Sequence, residues 1–412
     1  MTSGSSQTYI VVGAGLTAGK AVEALRDAGF GDRIILYGDE RERPYERPPL
    51  SKDYLLGKSE LETVFVHSPE WYDEHDVELR LGTEVLRIDP QARELVTAGG
   101  EHQSFDKLLL ATGSSPRHLA MADESGAPVA YLRRIGDSDR IKSALTAGKR
   151  IAIIGGGWIG LEVASAARQA DAQVTVIEAA ELPLLRVLGN EVAQIFADLH
   201  AEHGVELRTG ATVSSIEKAG DGAVVRLEDG SEIGADLVVI GVGIGPNTGL
   251  AEEAGLKVQN GVTVDDHLRT SDANIYAAGD VANAQHPRLG RSIRVEHWDN
   301  AIEQGIVAGK NMAGGDVAYD RLPYFFTDQY DFGMEYVGHV GPDGYDEVVL
   351  RGDPAGYVFT AFWIADGRVV AGMHANDWDA IESVKQIVEA GDRVDLDALR
   401  DQAQPLDQAV PA

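Results

Sequence analysis

Ile151-Ala152-Ile153-Ile154-Gly155-Gly156-Gly157-Trp158-Ile159-Gly160-Leu161-Glu162 is the stretch whose reading decides the fold. Four apolar residues read as a short buried strand, three glycines as a tight turn, and the remainder as the first turn of a helix. Gly155, Gly157 and Gly160 fill the G-x-G-x-x-G spacing of a dinucleotide-binding crossover. One glycine makes the turn, one lets backbone approach a pyrophosphate, and one lets helix pack on strand. Ile159 stands in the same turn, at the helix N-terminus, where free N–H groups and a partial positive charge face an anion. The next apolar run, Gln173 to Ile177, ends on Glu178, an acid placed to accept from ribose hydroxyls.

A second copy lies near the N-terminus. Tyr9 to Val12 is apolar, Gly13-Ala14-Gly15-Leu16-Thr17-Ala18 supplies G-x-G-x-x-A, and a helical pattern runs to Gly29. The run Ile34 to Tyr37 then ends at Gly38-Asp39-Glu40, so either acid can serve the ribose. Strand, glycine turn, helix, strand and acid make one Rossmann half. Further on, Asp106 to Ala111 reads as a strand closing on Thr112-Gly113-Ser114, and Asn274 to Ala278 as one delivering Asp280. Between Arg43 and Lys52, adjacent Pro48 and Pro49 suggest a rigid extended loop. Residues Ser115 to Arg134 read as a connector, Glu191 to His203 as a helix, and Leu237 to Gly243 as a strand with a glycine end. Short strands from Tyr319 to Asn376 precede a helix over Asp379 to Ala390, and Gln402 to Ala412 read as frayed.

Composition removes whole classes of chemistry. The 412 residues include no cysteine, so structural disulfides, thiolate metal sites and redox-active disulfides are excluded. Lys and Arg number 36 against 66 Asp and Glu, a formal charge of −30 that disfavours nucleic acid and anionic membrane as partners. No window approaches the roughly 20 apolar residues of a membrane span. Met1 to Gln7 carry no basic stretch before an apolar one, so no signal peptide is expected and the cytoplasm is. Eleven histidines are scattered, and neither a catalytic triad, a metal constellation nor a general acid–base pair emerges.

Taken together, Arg47-Pro48-Pro49-Leu50-Ser51-Lys52, the glycine turn ending in Glu162, Ala277-Ala278-Gly279-Asp280-Val281-Ala282 and Asp328-Gln329-Tyr330-Asp331 occur in an order that resembles one family. These are the glutathione-reductase-like two-dinucleotide-binding flavoproteins, and within them the NADH–ferredoxin reductases. That group includes putidaredoxin and rubredoxin reductases and the reductases of aromatic-ring dioxygenases. The resemblance implies an α/β chain with two Rossmann-like domains and a C-terminal α+β domain. An FAD domain, 1–112 and 246–318, would be interrupted by an NAD domain, 113–245, and followed by 319–412. Disulfide reductases of the same fold need a cysteine pair, so here the flavin must hand electrons directly to an outside acceptor.

The resemblance also assigns residues. Gly13, Gly15, Leu16 and Thr17 would hold the FAD pyrophosphate, Asp39 the adenosine ribose and Asp280 the ribityl chain. Arg47, Val85, Thr112, Gly113, Arg133 and Trp298 match positions lining FAD, with His297 beside the last. Gly155, Gly157, Ile159, Gly160 and Gly243 would take the NADH side. Glu178, with Ala179-Ala180 offering no arginine for a 2′-phosphate, would favour NADH over NADPH. Lys52 is expected at the reactive edge of the flavin, stabilising its anionic reduced form, and paired with Glu162 across the two domains. Trp158 either packs at an interface or forms an aromatic lid. Arg288, Arg291 and Arg294 are either solvated loop charges or a docking patch for an acidic ferredoxin-type iron–sulfur protein. Phe326 stands where the family often has Trp. Expected activity is NADH-driven reduction of such a ferredoxin for an oxygenase. The alternatives are reduction of a quinone or monodehydroascorbate, or an interaction surface switched by NADH, as in apoptosis-inducing factor.

Overall fold

The computed structural model describes residues 6–341 and 343–406. They divide into two compact units: the chain up to Arg47 with Leu61–Ser115 and Ile244–Arg321, and Pro48–Glu60 with Pro116–Gly243 and the chain from Leu322 onward. The segment Pro48–Glu60 thus belongs to the second unit.

A five-stranded parallel sheet forms the centre of the first unit. Its order is Ile275–Ala277, Lys107–Leu110, Thr8–Val12, Arg33–Tyr37, Val77–Arg80. Ile10 of the central strand faces Ile35 on one side and Leu108 on the other. Apart from the edge strand Val77–Arg80, these strands are buried and apolar over nearly all their length because both faces are covered. One covering layer is a close helix pair, Leu16–Asp27 and Trp298–Met312. A Cβ on Gly309 would come within 2.5 Å of the Ala21 carbonyl oxygen, so only glycine permits this approach.

In the second unit the parallel sheet runs Glu206–Arg208, Gln173–Ile177, Arg150–Ile154, Leu237–Ile240, Val129–Tyr131. An antiparallel sheet follows it, ordered Tyr324–Gln329, Phe332–Gly338, Arg368–Ala375, Val358–Ala365, Glu347–Asp353. Its buried face, with Phe332, Trp363 and Met373, shares one core with Leu161, Leu188 and Phe196 from helices Trp158–Gln169 and Leu185–Glu202. Among the described residues no helix is long and apolar enough to cross a membrane.

Several expectations shift locally. The prolines at 48 and 49 do not lie in an extended loop: Pro48–Ser51 is one turn of 3-10 helix, because a proline's fixed φ suits a first helical turn. The connector from Ser115 to Arg134 contains the edge strand Val129–Tyr131. The helix expected from Glu191 follows a break at Gly189, whose φ of +76° separates it from a turn that begins at Leu185. Of the tail expected to fray, 407–412 lie outside the described residues, as do 1–5 at the other end. The part that is described is tied down, with the Arg351 guanidinium donating to the carbonyls of Asp401 and Gln404 at 2.6 and 2.5 Å.

Candidate active site

Two glycine cradles have the same construction, one in each unit. Gly13 has φ +108°, and a Cβ there would lie 2.1 Å from the Ala111 carbonyl oxygen. Gly155 has φ +105°, and its Cβ would lie 2.3 Å from the Gly241 oxygen. Each turn is therefore wedged against a neighbouring strand end, and only glycine fits. The next glycine of each motif is different. Gly15 and Gly157 stand at helix N-caps with no side-chain cap, and a Cβ on either would meet nothing within 4 Å. The open space in front of uncapped N–H groups leaves room for an anionic ligand at each helix start. Ile159, one residue into the second helix, is 41% exposed despite its apolar side chain.

In the first unit, several expected FAD residues converge on this cradle. Gly279, at φ +78°, sits against Thr17, where a Cβ would fall 2.4 Å from its hydroxyl oxygen. That contact brings Asp280 beside the helix start, where its carboxylate accepts from Ser114 Oγ at 2.7 Å. Leu16 is buried in the first turn. Thr112 and Gly113 are fixed by Asn247, whose side-chain amide donates to Thr112 O at 2.8 Å and whose backbone N–H donates to Gly113 O at 3.0 Å. Of the two acids after Tyr37, Asp39 is exposed, while Glu40 is drawn in. Glu40 accepts from Tyr45 Oη at 2.7 Å and pairs with Arg47 at 3.3 Å. Trp298 donates its indole N–H to Glu46 at 3.1 Å, and Val85 is buried in the strand Val85–Asp89.

The second unit treats Glu178 differently from a solvated acid. One carboxylate oxygen accepts from the Gly156 N–H at 2.6 Å and the other from the Ala180 N–H at 2.7 Å. The acid is thereby locked against the glycine turn. Gly160 lets the helix close on the turn, since a Cβ there would lie 2.1 Å from the Gly155 oxygen. Gly243 has φ +98°, and its carbonyl accepts from the Arg117 N–H at 2.9 Å. Arg133 donates its backbone N–H to Asp137 at 3.0 Å.

Lys52 and Glu162 meet in the second unit. The ammonium lies 2.7 Å from Glu162 Oε1, and the two side chains are 15% and 5% exposed. A carboxylate this buried needs more than one donor. Thr327 Oγ1 donates to the same oxygen at 2.6 Å, and Ser51 Oγ donates to the other. The Lys52 ammonium also lies 5.5 Å from the centroid of the Phe326 ring, within cation–π range. Burial pushes the neighbouring Asp328 carboxyl up against the opposing pull of Lys52.

Residues 7–305 match the pyridine nucleotide-disulphide oxidoreductase family, and residues 324–410 match the reductase C-terminal family. The chain belongs to the pyridine nucleotide-disulphide oxidoreductase family. Among its relatives, the ferredoxin–NAD(+) reductase component of the anthranilate 1,2-dioxygenase system of Burkholderia cepacia is 39% identical, over 96% of this chain and 98% of that protein. Putidaredoxin reductase CamA of Pseudomonas putida is 35% identical, over 99% and 98%. The crystal structure of a covalent putidaredoxin reductase–putidaredoxin complex superposes with a TM-score of 0.95 at 35% identity, covering 98% of both chains. A ferredoxin reductase for the CYP199A2 system of Rhodopseudomonas palustris gives 0.93 at 32% identity, covering 98% of this chain and 100% of that one.

Within this oxidoreductase family framework, the remaining expected residues separate. Trp158 packs in an aromatic cluster, 5.7 Å from Phe196 and 5.0 Å from Phe325 between ring centroids. His297 caps helix Trp298–Met312 by accepting from the Asp299 N–H at 3.4 Å. The three arginines do not form one exposed group. Arg288 pairs with Asp320 at 3.4 Å, and Arg291 is exposed. Arg294 is turned inward, donating to the Asp280 carbonyl at 3.3 Å and pairing with Glu296. Sequence reasoning missed Ser51, Thr327 and Asn247. Ser51 precedes Lys52 and Thr327 precedes Asp328-Gln329-Tyr330-Asp331, so proximity to the motifs was the available signal. Asp265, Asp266 and His267 bring possible ligand atoms within 4.8 Å of one another, but His267 there is already paired with Asp266 and Asp316 at 2.7 and 3.1 Å.

Proposed function

We propose that this chain is a cytoplasmic NADH-dependent FAD oxidoreductase that delivers electrons to a ferredoxin-type iron–sulfur protein serving an oxygenase. The observation that carries the reading is the pair of like-built pyrophosphate cradles in a chain with no cysteine. Gly13, Gly15, Leu16, Thr17 and Asp280 would hold FAD, with Glu40 rather than the exposed Asp39 the better-placed acid for the adenosine side. Gly155, Gly157, Ile159, Gly160, Glu178 and Gly243 would hold NADH. Residues 1–112 with 246–318, then 113–245 and 319–412, are the functional domains that this assignment implies. The relatives named as a ferredoxin–NAD(+) reductase component and a putidaredoxin reductase support the choice of acceptor.

Bound FAD would accept a hydride and release its two electrons singly, the conversion that lies between a nicotinamide and an iron–sulfur centre. The chain's own contribution is orientation and charge. Glu178, fixed by two backbone donors, offers a carboxylate where NADPH would carry a 2′-phosphate, and repels it. Lys52, held by Glu162, supplies a positive charge that favours a reduced, anionic flavin. Ile159 offers an apolar surface next to the cradle. The test is anaerobic mixing of the FAD-loaded protein with NADH, followed by cytochrome c reduction with and without a ferredoxin. Bleaching of the flavin, and cytochrome c reduction that depends on ferredoxin, are expected. Equal cytochrome c reduction without ferredoxin, or faster turnover of a small quinone, would overturn the acceptor.

A further inference from the structure

A line of buried polar side chains leads away from Glu162, and its hydrogens can point only one way. An ionised carboxylate has lone pairs and no proton, so Thr327 must donate to it, at 2.6 Å. That leaves the Thr327 oxygen to accept, and Gln329 Nε2 donates to it at 3.2 Å. The orientation of the Gln329 amide is then fixed, and its carbonyl oxygen faces His200 Nε2 at 2.7 Å. A carbonyl cannot donate, so His200 carries its proton on Nε2. Nδ1 is then a lone pair, and Tyr330 Oη, 3.1 Å away, donates to it. His200 and Gln329 are 0% and 1% exposed, so no water competes for these groups.

We infer that Thr327, Gln329, His200 and Tyr330 form a one-directional donor chain that positions the Glu162 carboxylate, and through it the Lys52 ammonium. Each member acts through the next, so all four are positioning residues. The protonation states along the chain agree with its direction. Burial pushes the His200 imidazole down to about 4 and so keeps the ring neutral, outweighing the opposing effect of the hydrogen bond it donates to the Gln329 carbonyl. Burial also pushes the Tyr330 phenol up, so it retains the proton it donates. The backbone fits the same purpose. Tyr330 has φ +59° and donates its N–H to Ser165 Oγ at 2.8 Å, which fastens the turn carrying Gln329 to the helix carrying Glu162. Its ring stacks on His203 at 3.7 Å. Chains of this kind polarise from end to end, so a break far from Glu162 is felt at the carboxylate.

The inference extends the proposed role of Lys52 and Glu162, and two measurements separate its failure from a failure of that role. In the FAD-loaded protein, 15N NMR of labelled histidine should show His200 with a protonated Nε2 and a bare Nδ1. Infrared difference spectra against Glu162→Gln should isolate the Glu162 carboxylate stretch. That band should shift in Thr327→Val, and shift in the same sense in Gln329→Met, which alters no atom touching Glu162. Thr327→Ser, which keeps the hydroxyl, should restore it. NADH-driven flavin reduction should slow about tenfold in Thr327→Val and recover within about twofold in Thr327→Ser. A proton on Nδ1 of His200, or an unmoved carboxylate band in Gln329→Met with its melting temperature intact, would overturn the chain. Both spectra can be read whether or not NADH reduces the flavin.

Discussion

The Lys52 ammonium and the Glu162 carboxylate lie 2.7 Å apart although 110 residues separate them in the chain. The 3-10 turn Pro48–Ser51 delivers one partner and helix Trp158–Gln169 the other. Because both sit within the second unit, the pair also stabilises that unit. Lys52→Met should cost about 2 kcal/mol in urea unfolding. This is below the usual penalty for an orphaned buried charge because Thr327 and Ser51 still donate to Glu162. NADH-driven flavin reduction should fall by more than about tenfold in the same variant, and an unchanged rate would remove Lys52 from the chemistry.

The two kinds of cradle glycine make opposite predictions. Gly157→Ala adds a methyl where nothing lies within 4 Å, at an ordinary negative φ. Its melting temperature should match the parent, while KM for NADH rises because the methyl takes the ligand's place. Gly160→Ala drives a methyl to 2.1 Å from the Gly155 oxygen, and should lose about 2 kcal/mol of stability. An unchanged KM for NADH in Gly157→Ala would contradict the assignment of the space at Gly157 to a ligand, and equal melting temperatures for the two variants would contradict the tight packing at Gly160.

The proposed preference for NADH rests on Glu178. Glu178→Ala removes the repulsion and leaves the Gly156 and Ala180 N–H groups without their acceptor. The ratio of kcat/KM for NADH over NADPH should fall about tenfold, with a stability loss of about 1 kcal/mol. A ratio that does not move would show that the preference is set elsewhere.

His200 makes stability fall in mild acid. Its folded value, about 4, lies below the ordinary 6.5, so between these values the unfolded chain binds a proton that the folded chain does not. Above pH 6.5 the group contributes nothing to the pH dependence. As pH falls toward 4, the native state loses up to about 3 kcal/mol through this residue. Unfolding titrations of the parent and of His200→Gln should diverge over that window, with the variant flatter. Parallel curves would mean that His200 titrates normally in the folded protein.

Much of this arrangement was legible in the linear chain because glycine spacing reports backbone geometry directly. Gly13, Gly155 and Gly160 have no substitute where they stand, and the period of the apolar runs around them fixed the parallel sheets. The Lys52–Glu162 pair was legible only through family resemblance, since no local rule links residues so far apart. Thr327, Ser51 and Asn247 escaped notice because small polar residues are common and their roles arise only in packing. The edge strand Val129–Tyr131 escaped for another reason: it is three residues long and follows a proline. The three arginines read as either solvated loop charges or one docking patch because they are close in sequence, yet Arg294 turns inward toward Asp280 while Arg291 stays on the surface.

The segment Pro48–Glu60 has a consequence for dissecting the molecule. Leu55, 1% exposed, packs in the same core as Ile141, Val163 and Val239 of the second unit. Ser138 donates to the Leu50 carbonyl, and Tyr54 donates to Asp139. A fragment begun at Pro116 would therefore be born with a gap in its own interior. Truncation, domain exchange with a relative or circular permutation should keep that short excursion attached to its recipient core, and a chimera that divides the two would lose cohesion before it lost any cofactor.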